Sequence, residues 1–186
     1  MLGADDELDP EPRRVLVAGT AGVGKTTTAA HIGRTLGIPF TEIDSIYHGP
    51  DWTPRPTFVT EVEAYTRAPA WVTEWQYSAT RPMLVRRADT LVWIDLPVAV
   101  AVWRLVRRTL RRRLRHTELW NGNVEPPLRA FFTDRGHIVR WGLRTQYESR
   151  RRVPALERTA PHLRIVHLRS QRQVDRFLQH LADGRR

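Results

Sequence analysis

Lys25 is the single lysine among thirty lysine and arginine residues, and it stands inside Gly19-Thr20-Ala21-Gly22-Val23-Gly24-Lys25-Thr26. A chain that writes its positive charge as arginine and keeps one ammonium here marks a place where a planar guanidinium does not fit. The octet matches G-x-x-x-x-G-K-[ST], the phosphate-binding loop. Its chemistry is anion capture. Glycines let successive backbone N–H groups close around a phosphate, a compact ammonium reaches the β- and γ-phosphates, and the Thr26 hydroxyl is offered to Mg²⁺. Gly19, Ala21, Gly22, Val23, Gly24, Lys25, Thr26 and Thr27 are therefore the expected nucleotide-binding residues.

Three carboxylates, Asp44, Glu74 and Asp95, each close a short apolar run. Asp44 could orient an acceptor hydroxyl or accept its proton, or it could cap a turn. Glu74 could hold a Mg²⁺-bound water beside Thr26, or pair with Arg81. Asp95 precedes Leu96-Pro97 and reads as a helix cap. Arg81 is placed to grip an anionic acceptor. Tyr47, Trp52, Trp75 and Tyr77 flank the same region, where they would stack on a planar ligand or simply fill the core. Arg104, Arg108, Arg111, Arg112 and Arg115 fall at i, i+4, i+7, i+8 and i+11, one face of a helix. Arg104 and Arg108 are the two expected to meet phosphate or base, since transfer of a phosphoryl group asks mainly for positioning and neutralised charge. The distal arginines read as lid or solvated surface.

The elements that must position these groups alternate. Strands are expected over 13–18, 39–44, 70–74, 90–95 and 163–168. Helices are expected over 26–36, 57–67, 97–114, 134–157 and 171–181, with a short one ending at Arg87 and breakers in 116–127. Five short strands separated by helices predict a parallel sheet with right-handed crossovers and helices on both faces. Ligands then gather at the carboxyl ends of the strands, where the three carboxylates fall.

With 186 residues the chain is one domain by length, and without cysteine it has neither a disulfide framework nor a thiolate metal site. Residues 1–12 are acidic and Pro-bearing, unlike a signal peptide, and read as a disordered leader. No apolar run approaches the length of a membrane span; together with a nucleotide site this makes a cytoplasmic protein without membrane partners, monomeric or dimeric, the expectation. The net charge of +10 suits polyanionic small ligands; nucleic acid is the weaker alternative, resting on charge alone.

Taken together, the phosphate loop, Glu42-Ile43-Asp44-Ser45-Ile46-Tyr47 with Trp52, Trp71 to Ser78, Ala88-Asp89-Thr90, Asp95-Leu96-Pro97 and Leu168 to Val174 resemble the adenylate-kinase-like group of P-loop small-molecule and nucleotide kinases. Within it they are most similar to the bacterial DNA topology modulation proteins and their actinobacterial relatives. The resemblance spans Arg14 to Leu181. It implies an α/β P-loop NTPase fold, a three-layer sandwich around a five-stranded parallel sheet ordered 2-3-1-4-5, in a single domain over 13–186. It further implies an acceptor region at about 45–68 and a helical lid at about 108–135. ATP and Mg²⁺ would serve as cofactors for phosphoryl transfer to a small-molecule, nucleotide-like acceptor. By position, Arg104 and Arg108 resemble the arginines at the base of the lid, and Arg169 falls where the group closes over adenine. Glu74 stands where an aspartate followed by glycine is usual, and the lid carries Trp120-Asn121-Gly122-Asn123-Val124-Glu125 in place of an arginine pattern, which argues against an ordinary adenylate kinase. An ATP-binding protein acting on DNA, and a nucleotide hydrolase or switch without acceptor, are the alternative readings.

Overall fold

The run Thr90–Ile94 is buried along its whole length, and with the other strands it forms the middle layer of the molecule. The computed structural model describes residues 1–124 and 147–184. Strands β1 (Arg14–Gly19), β2 (Phe40–Thr41), β3 (Trp71–Glu74), β4 (Thr90–Ile94) and β5 (Arg164–Leu168) build one sheet in the order β2-β3-β1-β4-β5. Every pairing is parallel: Val17 stands opposite Glu74 and Val92, and Ile94 opposite both Gly19 and Leu168. The expected sheet and strand order are thus present.

Helices α1 (Lys25–Leu36), α2 (Ile43–Tyr47), α3 (Phe58–Tyr65), α4 (Arg81–Arg87), α5 (Val98–Leu114), α6 (Glu148–Thr159) and α7 (Gln171–Asp183) flank the sheet among the described residues. Alternation along each strand divides the core in two. Val15, Val17, Val92, Ile94 and Val166 face one way and pack with Ile32, Leu36, Val174 and Phe177 of α1 and α7. Leu16, Leu91, Trp93 and Ile165 face the other and pack with Ile43, Phe58, Leu84 and Val153. These are the outer two layers of a three-layer sandwich.

Three sequence expectations change. The second strand ends at Thr41, not Asp44, because the backbone N–H of Ile43 turns aside to donate to Glu74 Oε2 at 3.0 Å; Asp44 consequently sits on α2. The segment 1–12, expected to be a disordered leader, lies beside β5: Leu2 pairs with Val166, its N–H donates to Ile165 O at 2.7 Å, and its carbonyl accepts from His167 N at 2.8 Å. Apolar side chains at Leu2, Ala4 and Leu8 fill a seam of the core, which outweighs the acidic composition of the segment. Asp95 does not cap α5, whose N-cap is Pro97 without a side-chain bond; its carboxylate is claimed by Arg150 Nε at 2.7 Å and His167 Nε2 at 3.2 Å. The expected 134–157 helix is present as Glu148–Thr159 within the described residues, while its first half, and 125–135 of the expected lid, lie outside them. No described helix is long and apolar enough to cross a membrane.

Candidate functional site

The phosphate loop joins β1 to α1 at the carboxyl edge of the sheet, as strand–loop–helix connectivity requires. Gly24 is the N-cap of α1 at φ 96°, with no side chain bonded to the first turn and no acidic residue in it. The first-turn N–H groups are thereby left to an external acceptor, and the helix dipole adds a positive field. Gly22 shows that the loop is fitted to its surroundings: a Cβ there would stand 2.2 Å from the carbonyl oxygen of Ala101 on α5. Only glycine lets α5 approach so closely.

Lys25 folds back over the loop, its Nζ donating to Thr20 O at 3.1 Å. Burial pulls its pKa below the ordinary lysine value; the carboxylates of Asp44 and Glu74 oppose that shift, and Arg108 adds to it. Thr26 donates its hydroxyl to Glu74 Oε1 at 2.7 Å. Glu74 is fully buried, and its pKa is raised, first by burial, against the bonds it accepts from Ile43 and Thr26. It makes no pair with Arg81, so that alternative falls.

Asp44, one turn into the acceptor side, accepts at Oδ1 from Tyr77 Oη at 2.6 Å and from Gln76 Nε2 at 3.0 Å. His48 Nε2 lies 3.3 Å from the same Tyr77 hydroxyl. Burial, then the negative charge of Asp44, pushes the Tyr77 hydroxyl far above its ordinary pKa, and burial pulls His48 below the usual histidine value. Tyr77 is held at φ 55°, a conformation a tyrosine adopts only when its surroundings impose it. Its ring stacks on Tyr47 with centroids 3.8 Å apart.

These groups share one cleft of about 540 Å³, lined by the phosphate loop and Lys25 together with Asp44, Tyr47, His48, Gln76 and Tyr77. Arg81 and Trp75 complete a side wall, the guanidinium 5.5 Å from the indole centroid. Glu148, Ser149 and Arg152 of α6 close it. Sequence reasoning missed His48, Gln76 and the α6 residues: the first two adjoin Tyr47 and Tyr77, which were noticed, but nothing local signals that α6 returns to the site.

Other expected residues lie elsewhere. Trp52 is not a cleft wall; its indole N–H donates to Val124 O at 3.2 Å and its ring meets His48 edge-on. Arg104 points to the start of α7, donating to Gln171 Oε1 at 2.8 Å, which brings it to the same corner as Arg169. Arg108 lies near enough to Lys25 to depress its pKa. Neither arginine lines the cleft.

The Thr26–Glu74 pair can be tested for fitness toward Mg²⁺. The Thr26 proton is directed to Glu74, which leaves oxygen lone pairs for a hard cation. Among the described residues there is no group of three or more metal-ligating side chains, so the donor set is that of an ion completed by phosphates and water rather than by a protein cage. The residues fit.

No protein-family model and no curated protein sequence matches the chain. Solved structures do. The chain is similar to a gluconokinase from Sinorhizobium meliloti 1021, at a TM-score of 0.54 and 19% identity over 94% of each chain. It is similar to a shikimate kinase from Aquifex aeolicus VF5, at 0.52 and 14% over 92% of this chain and 94% of the other. A shikimate kinase from Acinetobacter baumannii in complex with shikimate matches at 0.54 and 18% over 92% of each. At such identities the likeness carries the fold: this is the α/β sandwich of P-loop kinases.

Proposed function

We propose that the chain is an ATP- and Mg²⁺-dependent phosphotransferase of the adenylate-kinase-like group, close to the bacterial DNA topology modulation proteins, acting on a hydroxyl of a small molecule. One observation carries the reading: a single cleft holds both the phosphate loop with Lys25 and a carboxylate, Asp44, bonded to a buried hydroxyl. A hydrolase or switch needs the first of these only. The solved kinases of the same fold, named for gluconate and shikimate, add support for a small acceptor.

When bound, MgATP supplies the transferable phosphoryl group and the cation that neutralises its charge. The chain supplies position and field. Gly22, Val23, Gly24 and the first turn of α1 hold the phosphate oxygens, Lys25 contributes its point charge, and Thr26 with Glu74 would hold the ion. Asp44, oriented by Gln76 and Tyr77, receives the acceptor hydroxyl and takes its proton. Arg81 meets an anionic group of the acceptor, and Tyr47 with Tyr77 supports its body. Arg104, Arg108 and Arg169 lie on the nucleotide side. The test is thermal stabilisation by MgATP in the wild type and in Lys25→Ala: the variant should show none, and stabilisation equal to wild type would remove the ammonium from the account.

A further inference from the structure

His48 lines the cleft just beyond the end of its helix, so the turn that follows it must hold it in place. It ends the five-residue α2 and opens a turn, 48–54, that contains two left-handed non-glycine residues, Asp51 at φ 54° and Trp52 at φ 57°. Such a turn is unfavourable alone and persists where neighbours over-determine it. Its own bonds are Gly49 N to Thr53 O at 2.7 Å, Thr53 N to Pro50 O at 3.1 Å and Arg55 N to Tyr47 O at 2.9 Å.

The neighbours are the residues that replace an arginine lid pattern. Asn123, only 5% exposed, donates from Nδ2 to Gly49 O and to Trp120 O, both at 2.8 Å, and accepts at Oδ1 from Trp52 N at 2.9 Å. Asn121 donates to His48 O. Trp120 donates its indole N–H to Glu42 Oε2 at 2.9 Å and lies nearly parallel to the His48 ring, at 15°. One asparagine thus answers the backbone of both turns, an arrangement a loop touching by chance would not make.

This second turn is the direct continuation of α5, joined to it by Thr117 N to Arg112 O at 2.9 Å. Seventeen residues long, and so about 25 Å, α5 meets the phosphate loop near its start, where Ala101 O crosses Gly22. Through α5 and the turn that follows it, one stretch of chain therefore reaches from the phosphate loop to the His48 turn.

We propose that Trp120, Asn121 and Asn123 are positioning residues: they latch the His48 turn to α5, so that nucleotide seated at the phosphate loop and α5 tightens the acceptor wall. The coupling half of the proposal rests on the function proposed above. The test is hydrogen exchange of the amide N–H groups of Gly49, Thr53 and Arg55, which are bonded within the turn and not to Asn123, in the wild type and in Asn123→Ala, each with and without Mg²⁺ and a non-hydrolysable ATP analogue. Without ligand, the variant should exchange there roughly five- to thirtyfold faster, the factor that loss of one or two net hydrogen bonds brings. With ligand, these amides should slow in the wild type and not in the variant, while amides of residues 20–27 slow in both. Unchanged exchange at 49–55 in the variant overturns the latch, and equal ligand protection in the two proteins overturns the coupling. Absence of protection at 20–27 in the wild type would strike the proposed function instead, leaving the ligand-free comparison to decide the latch. Trp120→Phe, which keeps a ring against His48 and removes only the bond to Glu42, provides the same comparison at a less buried position should Asn123→Ala not fold.

Discussion

Alanine at Gly22 and alanine at Gly24 look alike in sequence and differ sharply in structure. Both residues have positive φ, 87° and 96°, so each substitution forces a side chain into left-handed backbone at a cost of about 1–3 kcal/mol. At Gly24 nothing lies within 4 Å of the new Cβ, and the cost stops there. At Gly22 the Cβ would stand 2.2 Å from Ala101 O and 3.1 Å from Leu105 Cβ. The first is backbone, and α5 must move to relieve it. Overpacking of this kind adds about 1–3 kcal/mol, for a total of about 2–6 kcal/mol. For a chain of this length each kcal/mol is worth roughly 2–4 °C in Tm. Urea denaturation of both variants, with m-values compared to confirm that the unfolded states match, reads the difference directly. Gly22→Ala should be the less stable by at least about 1 kcal/mol. Equal loss in the two, or a larger loss at Gly24, would refute the claim that α5 is seated on the phosphate loop.

Three further outcomes are expected. Saturating MgATP, at about a hundred times its Kd, should stabilise the wild type by about 2.7 kcal/mol and Lys25→Ala by none; calorimetric melting with and without nucleotide measures both. Asp44→Asn should keep that stabilisation and lose transfer to acceptor, so a variant that still forms phosphorylated product would clear Asp44 of its role. His48 and His167 are both held below the ordinary histidine pKa, first by burial. The unfolded chain therefore takes up their protons near pH 6.5 while the folded chain resists, and stability should fall as pH drops through about 6.5. His48→Gln and His167→Gln should each flatten that fall in urea midpoints taken between about pH 7.5 and 5; slopes identical to wild type would show that these rings titrate alike in both states.

What could be read from the sequence was local, and what could not was settled at long range. The octet around Lys25, with an apolar strand before it and helical spacing after, specified loop, strand and helix together. The run Thr90–Ile94 likewise announced a strand buried on both faces. Asp44 was found, but on the wrong element: the end of β2 is set by Glu74, thirty-one residues away, drawing the Ile43 amide out of line. Asp95 carried a valid capping signal, and Arg150 and His167 outbid the helix for its carboxylate. Trp52 was noticed as an aromatic near the acceptor, yet its partner is the backbone at Val124, which no spacing rule connects to it. The 118–124 turn registered only as a departure from an arginine pattern; its use becomes visible once Asn123 is seen between two strained turns.

The most direct test of the account is ³¹P NMR of the chain incubated with MgATP and pooled polyols, hydroxy acids and nucleosides. Phosphoryl transfer predicts a phosphate-ester resonance that grows in step with ADP and vanishes in Asp44→Asn. ADP accompanied only by inorganic phosphate would mean a cleft that hydrolyses rather than transfers, and would contradict the role given to its acceptor end.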